Sequence, residues 1–571
     1  MDLGQRPIWE QQRVDLSNVD IIAQGLDLDE RVARILVQRG ILTLQEAQRF
    51  LCPAIDHLHD PLLLPDAEIA IDRLLVAVER RERIAIHGDY DVDGVTATVL
   101  IRRVLDLIGA DVFHYIPHRL TDGYGLQTSG IDRLHEEGAT VVVTVDCGVR
   151  SLAAAKRARE LNIDLIVTDH HEPGDVLPNA LGVINPKRKD SNYPCRDLSG
   201  AGIAFKVAQG ICIKLGHPVW VPGLIKIAAI GTMADVVSLQ GENRAIAKLG
   251  LDALTAGRHT SGLKALLEVS KLDGKRVTSE DVGFRLAPRL NAAGRLSSAE
   301  LAAQLLLSTE SSSMQTCTAL ARELDDLNTQ RRELEREGTK SVYESLDGSE
   351  RPCYVVWSTE WHRGVIGIMA SRLAERFRRP AIVITFEGDD AYGSGRSIPG
   401  FDLLSALDEC KDLLIRYGGH RQATGLHLRV GNIEAFRQRF EKYVGDRLSV
   451  ADCAPRLHVD AEIEFGAITK KFMRDMQQLE PFGTGNSRPV FVTSGVQVVD
   501  GPHVVKSEHL RMTLGQGGKR FQAIAWGAAS EAGRFRATGA KNLKVAFSVT
   551  ENTFREITTT QLTIADVKED D

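Results

Sequence analysis

From residue 84 to residue 184 the chain alternates short apolar runs with longer stretches whose apolar positions recur every three or four residues. The runs at 84–87, 112–116, 140–145, 164–168 and 181–184 predict strands, and stretches such as 95–109 and 151–161 predict helices between them. Strands that are apolar on both sides need cover on both faces, which is the pattern of a parallel sheet built from β-α-β units. A helical stretch follows from 201 to about 267.

The pattern then changes three times. Residues 316–341 are rich in Leu, Arg and Glu and predict one long exposed helix that spaces two lobes. A second α/β unit begins at 352, with a helix at 364–378 and a strand at 381–385. Beyond Leu479 helical periodicity fades, and β-prone runs at 490–493, 510–514 and 544–549, separated by glycines, predict a small β-barrel. Before residue 80 the chain reads as polar and helical, broken at Pro53, Pro61 and Pro65. The expected organisation is a helical region at 1–50, a parallel-sheet α/β domain at 51–310, a connecting helix at 311–345, a smaller α/β domain at 346–450 and a barrel at 456–571.

Composition narrows the class without naming a chemistry. A chain of 571 residues exceeds a single core, and 43% hydrophobic with 26% charged residues is ordinary for a globular protein. No apolar run is long enough to cross a bilayer, and the first twelve residues lack the core of a signal peptide. The eight cysteines are scattered with no C-x-x-C pair, which points to reduced thiols and a cytoplasmic protein rather than a disulfide framework.

The chemistry lies where the first strand ends. His87-Gly88-Asp89-Tyr90-Asp91-Val92-Asp93-Gly94 packs three carboxylates and an imidazole into seven residues. Carboxylates this dense repel one another and call for a cation. Mixed oxygen and nitrogen ligands suit Mn²⁺ or Mg²⁺. An EF-hand is excluded, because its twelfth position is Leu100 and a strand precedes it. Two later strands also end in ligand residues, in Thr144-Val145-Asp146-Cys147-Gly148 and Thr168-Asp169-His170-His171, and an apolar helix ends at Gly231-Thr232-Met233-Ala234-Asp235. Carboxyl ends of parallel strands share one edge, so Asp91, Asp93, Asp146 and His170 can converge. Taken singly, each acid could equally cap a helix.

The order HxxxDxD, DCG, DHH and GTMADVV resembles the DHH phosphoesterase superfamily. APRLNAAGR (287–295), WHRGVIG (361–367), GSGRS (393–397), GGH (418–420) and PFGTGN (481–486) narrow the resemblance to the RecJ family of single-strand-specific 5′→3′ DNA exonucleases. The resemblance runs from about residue 50 to about 565. It implies a DHH catalytic domain, a DHH-associated domain and an OB-like barrel. It also implies two divalent cations held by His87, Asp91, Asp93, Asp146, His170 and Asp235, with Asp146 between the ions. Asp89, Asp169 and His171 fall inside the same motifs and are expected to orient ligands or contact phosphate, Asp89 and His171 within the catalytic set. The 5′-phosphate reading falls on Ser394, Gly395 and Arg396, helped by Arg119. Gly419 and His420 would approach the scissile phosphate, and Arg289, Asn291 and Arg295 would line the cleft from a loop. Glycine turns, helix caps and salt bridges are the ordinary alternatives for these residues.

Between 503 and 556 nine basic residues (Lys506, Arg511, Lys519, Arg520, Arg534, Arg536, Lys541, Lys544 and Arg555) face four glutamates. Phe521, Trp526, Phe535, Phe547 and Phe554 are interleaved, most of them expected in the barrel core. A basic barrel suits a single strand. The resemblance implies single-stranded DNA as partner, release of 5′-mononucleotides, and cooperation with a single-strand-binding protein and a helicase, by a monomer acting in repair and recombination. Two other readings stand beside it. One is a DHH enzyme for short oligonucleotides, cyclic dinucleotides or pyrophosphate, which needs no basic barrel. The other is an inactive replication scaffold, against which the intact ligand positions argue.

Overall fold

Ahead of the alternating region the described residues form one strand, β1 (Ile8–Gln11), and four α-helices, Leu16–Gly25, Glu30–Gln38, Leu44–Leu51 and Ala67–Glu79. Four mostly exposed residues carry too short a pattern to predict this strand, which pairs along one edge, parallel to a strand some 450 residues later. This is a computed structural model, and it describes residues 7–123, 125–346, 348–449, 453–537, 542–554 and 557–570. The chain divides into two compact units, one made of Gln48–Arg332 with Leu479–Ser487, the other of the remaining segments.

In the first unit the apolar runs become β2 (Ile84–His87), β3 (Val112–Tyr115), β4 (Val141–Val145), β5 (Asp164–Thr168) and β6 (Gly182–Ile184). All pair in parallel in the order β3-β2-β4-β5-β6. Alternate residues serve opposite faces. Ile84, Ile86, Val141, Val143 and Ile166 face the core that includes the helices Ala67–Glu79, Val92–Leu107, Gly200–Lys214 and Val221–Ala234. Ala85, Val142, Leu165 and Val167 face Thr128–Glu136 and Leu152–Glu160. Strand order reverses between β2 and β4, and ligands in open α/β sheets bind at such a switch point, beyond the carboxyl ends of the strands.

One helix starts earlier than periodicity predicts. Val92–Leu107 begins three residues ahead of the expected 95, because the Asp91 side chain accepts from the amides of Asp93 (2.9 Å) and Gly94 (3.1 Å) and caps it. A second correction concerns Arg289, Asn291 and Arg295, which lie on the helix Ala287–Leu296 and not on a loop. Pro288 takes the first turn of that helix, where proline needs no amide partner. A five-residue π-helix, Val282–Leu286, leads into it.

The connecting helix spans Met314–Ser345, 32 residues and about 48 Å at 1.5 Å per residue. In the second unit β7 (Tyr354–Ser358), β8 (Ala381–Glu387), β9 (Asp390–Arg396), β10 (Leu414–Gly419) and β11 (Ala423–Arg429) form a mixed sheet in the order β10-β11-β9-β8-β7. Only β7 and β8 run parallel. Then come β12 (Arg456–Val459), the partner of β1, and the short β13 (Ala461–Glu462). The barrel follows in β14 (Phe491–Val505), β15 (His509–Gln516), β16 (Lys519–Ala525), β17 (Leu543–Phe554) and β18 (Ile557–Glu569). The order β14-β15-β16-β18-β17 closes through pairing of β17 with β14. Phe547 and Phe535 are buried and Phe521 is half-buried, whereas Trp526 stays 53% exposed. Lys506, Arg511, Lys519 and Arg520 are exposed and Lys544 is half-buried; Lys541, Arg555 and the side chains of Arg534, Arg536 and Phe554 lie outside the described residues.

Candidate metal centre and anion cradle

Each strand of the switch point delivers part of the centre. After β2 the chain turns through Asp89, caps the next helix with Asp91 and places Asp93 in its first turn. After β4 comes Asp146, held at a φ of 61°, a left-handed conformation in which its amide still reaches the Thr168 carbonyl at 3.0 Å. After β5 come Asp169, His170 and His171, and Asp235 ends the helix Val221–Ala234. His170 Nε2 lies 3.2 Å from Asp146 Oδ1, 3.6 Å from Asp235 Oδ2 and 3.9 Å from Asp93 Oδ2.

Three sets of ligand atoms fall close enough to hold an ion: Asp146 with His170 and His171, Asp93 with His170 and Asp235, and Asp89 with Asp91 and Asp146. Asp146 links the first set to the third and His170 the first to the second, a linkage that suits two neighbouring ions. Asp89 Oδ1, Asp146 Oδ1 and Asp235 Oδ2 are buried and accept no hydrogen bond. Orphaned anionic oxygens are expensive, and a hard divalent cation is what such a donor set fits. The residues present therefore fit Mn²⁺ or Mg²⁺.

The surroundings aim these ligands. The helix Gly200–Lys214 points its first amides at Asp93, Gly200 N donating to Oδ2 at 2.6 Å and Ala201 N to Oδ1 at 2.8 Å. Gly200 has no substitute, since a Cβ there would lie 2.7 Å from Asp146 Oδ1. Asp169 accepts from Val149 N at 2.9 Å and sits 2.7 Å from His171 Nδ1, which fixes that ring. Asn185, fully buried at the end of β6, donates to the His171 carbonyl at 2.9 Å. Sequence reasoning missed Asn185, Gly200 and Ala201. The end of the fifth strand was a signal for the first; nothing local marks the other two.

Asp89 and His171, expected beside the ligands, stand at ligand distance themselves. His87 belongs to none of the three sets. Its Nδ1 lies 3.7 Å from Cys147 Sγ, and its Nε2 is the atom nearest a Cβ built on Gly130. Burial pushes its pKa down to about 4, so the ring is neutral. Arg119 lies over the Tyr90 ring at 4.8 Å, inside the first motif. Asn291 Oδ1 accepts from Val92 N at 3.2 Å, and a Cβ at Gly294 would strike the Tyr90 carbonyl at 2.3 Å, so the helix of Arg295 buttresses the acidic turn. Arg289 is engaged by Asp325 at 2.8 Å and by the Arg285 carbonyl at 2.6 Å, which makes it a structural ion pair.

Without cations these acids share a difficult site. Burial and then Asp91 raise Asp89 to about 8 and Asp93 to about 7. Burial and then Asp93 raise Asp235 to about 9, and the same two causes push Asp146 well above the usual range. A carboxyl whose folded pKa exceeds its unfolded value of about 4 stabilises the fold fully below that value and loses this as pH rises through the folded pKa. The chelated protein is therefore expected to melt at progressively lower temperature from pH 6 to pH 9. Mn²⁺ at 100 times its dissociation constant should add about 2.7 kcal/mol, and a fixed Mn²⁺ concentration should add more at pH 8 than at pH 6. Differential scanning calorimetry checks both; a chelated melting temperature that climbs with pH would contradict the assignment.

The second unit holds a different site. On β9, Gly393 and Gly395 face inward, where a Cβ would lie 2.9 Å from Leu426 and 2.7 Å from Thr424 Oγ1 respectively. The ordinary alternative of a glycine turn is set aside: β9 is paired on both sides, by β8 and β11, and its glycines allow close packing. Ser394 and Arg396 alternate to the other face, with Arg396 NH1 donating to Ser394 Oγ at 3.1 Å. Both meet the start of the helix Ile366–Phe377, where a Cβ on Gly367 would lie 3.0 Å from Ser394 Oγ and 3.2 Å from Arg396 NH2. A guanidinium, a hydroxyl and a helix N-terminus together are suited to cradle an anion. Gly419 ends β10 at a φ of 136°, and exposed His420 begins the turn to β11.

The model of the DHH family N-terminal domain matches residues 83–232, that of the DHHA1 domain 350–446 and that of the RecJ OB domain 459–566. The chain is 33% identical over 566 residues to the single-stranded-DNA-specific exonuclease RecJ of Escherichia coli, covering 95% of this chain and 96% of that protein. It is 37% identical over 519 residues to the protein of that name in Bacillus subtilis, covering 90% of this chain but 65% of the longer relative. Among solved structures it is similar to RecJ in complex with Mn²⁺ from Thermus thermophilus, with a TM-score of 0.84 and 29% identity, covering 99% of this chain and 80% of that one.

Proposed function

This chain belongs to the RecJ family, and we propose on that premise that it is a metal-dependent exonuclease that shortens single-stranded DNA from its 5′ end in repair and recombination. The observation that carries the reading is the convergence of the Asp93, Asp146 and Asp235 carboxylates on His170 at the switch point of a parallel sheet, with the Asp146 and Asp235 oxygens orphaned.

Two divalent cations, when bound, neutralise the phosphodiester and activate water for in-line attack. Asp89, Asp91, Asp93, Asp146, His170, His171 and Asp235 would hold them. Asp169 keeps its charge despite burial because His171 donates to it, and that bond holds a proton at His171 Nδ1. The Gly200 and Ala201 amides keep Asp93 from turning away. Cleavage breaks the bond from phosphorus to the 3′-oxygen of the first nucleotide. It releases a 5′-mononucleotide and leaves a new 5′-phosphate on the shortened strand. Ser394 and Arg396 would receive that terminal phosphate, and Arg119, His420 and the exposed basic residues of the barrel are each suited to a phosphate contact.

The eight free thiols support a cytoplasmic site of action. Among the described residues no helix is long and apolar enough to cross a membrane. A helicase that opens duplex and a single-strand-binding protein that keeps it open are the partners this substrate calls for, and one chain carries every residue named, so a monomer suffices. The test offers purified protein with Mn²⁺ a 5′-labelled single strand, a duplex and a dinucleotide. Rapid release of labelled mononucleotide from the single strand is expected. Preference for the dinucleotide would replace this reading with that of a short-oligonucleotide phosphodiesterase, and no hydrolysis at all would leave a scaffold.

A further inference from the structure

Asp235 sits at an improbable turn. The next residue, Val236, has a φ of 60°, a conformation that β-branched residues avoid, and its side chain is 67% exposed, so side-chain packing does not hold it there. Such strain persists only where the surroundings impose it. The residues that follow are gripped by Leu479–Ser487, the segment containing PFGTGN. This segment comes late in the sequence yet belongs to the unit of the metal centre.

The grip is specific. Leu239 N donates to the Thr484 carbonyl at 2.8 Å, and Gln240 Nε2 to the Gly485 carbonyl at 2.8 Å. Gly485, at a φ of 70°, lies so close that a Cβ would come within 2.3 Å of Ser238 Oγ, and one on Gly483 within 2.6 Å of Leu239. The segment is itself rigid. Buried Asn486 donates to the carbonyls of Leu479 (2.8 Å) and Pro481 (2.6 Å), and buried Arg244 donates to those of Leu479 (3.1 Å), Glu480 (3.0 Å) and Pro481 (3.4 Å). Asn243 donates to the carbonyls of Ser238 and Asp197, tying the gripped residues to the turn before the helix whose amides hold Asp93.

We propose that Leu479–Ser487 is a positioning clamp: by fixing residues 238–240 it imposes the strained turn at Val236 and so sets the Asp235 carboxylate in the metal centre. The clamp rests on Asp235 being a metal ligand, and it acts through Asp235 without touching cation or DNA. Outer contacts that orient a ligand change metal affinity by about 10- to 100-fold.

The experiment is calorimetric titration of the chelated full-length protein with Mn²⁺ in the absence of DNA, with melting temperatures in parallel. Gly485→Ala is expected to weaken Mn²⁺ binding about tenfold or more. Adding Ser238→Ala removes the clashing hydroxyl and should restore part of the loss, the left-handed backbone at 485 keeping the rest. Gly466→Ala, where a Cβ meets nothing within 4 Å, is the control. Should Gly485→Ala fail to fold, Gln240→Ala removes one clamp bond and should weaken binding in the same direction. Unchanged Mn²⁺ affinity in the folded clamp variants would overturn the clamp. Asp235→Asn separates the premise: if it too leaves Mn²⁺ affinity unchanged, the assignment of Asp235 fails first.

Discussion

Replacing Asp146 with asparagine is expected to lower hydrolysis of single-stranded DNA by about 10⁴-fold, a loss on the order of 5 kcal/mol of transition-state stabilisation, while raising the melting temperature of the chelated protein. Asp146 belongs to two of the three ligand sets, so no other single acid links as much of the centre. Asparagine tolerates the left-handed backbone at 146 nearly as well as aspartate, so the variant should fold. It also removes a buried acid that Asp93, Asp91, Asp235 and Asp89 crowd, which is why stability should rise as activity falls. Calorimetry in chelator at pH 8 and turnover in Mn²⁺ measure the two halves. Turnover above a tenth of wild type would remove Asp146 from the centre.

The second large effect falls on the anion cradle. Arg396→Ala is expected to cut kcat/KM about 100-fold on a 5′-phosphorylated single strand, and only a few-fold on the same strand with a 5′-hydroxyl. A charge-assisted bond from guanidinium to phosphate contributes roughly 2–3 kcal/mol when desolvated. Ser394 Oγ, bonded to Arg396 at 3.1 Å, would remain with the helix N-terminus and keep weak binding. Equal losses on both strands would show that Arg396 holds the backbone in general and not the terminal phosphate.

The parts of this protein that the sequence makes legible are those set by local pattern. Strands β2 and β5 end where the apolar runs end, because a run buried on both faces has no tolerance for polar residues. The ligands that follow those strands were legible for the same reason. Asp91 shifted a helix start because a side-chain cap outweighs periodicity over three residues. Arg289 read as loop because proline and glycine flank it, yet Pro288 fits a first turn and Gly294 is needed for contact with Tyr90. The glycines of β9 looked like a turn because their partners, Leu426 and Thr424, lie far along the chain. Pairing of β1 with β12 and closure of β14 on β17 depend on contacts with no local signature. The same holds for His87, whose neighbours Gly130 and Cys147 become apparent only once the sheet is assembled.

The long reach of the chain around one small centre bears on how the enzyme is made. Its acids are spread from Asp89 to Asp235, and the segment packed behind Asp235 is not synthesised until residue 487. Chains emerge N-terminus first, and domains fold as their last piece arrives. A ribosome-bound fragment that ends before residue 479 therefore lacks part of the unit that carries the cations. The unit of the metal centre is thus completed only as the barrel begins to be made, although every acid of the centre has emerged some 240 residues earlier.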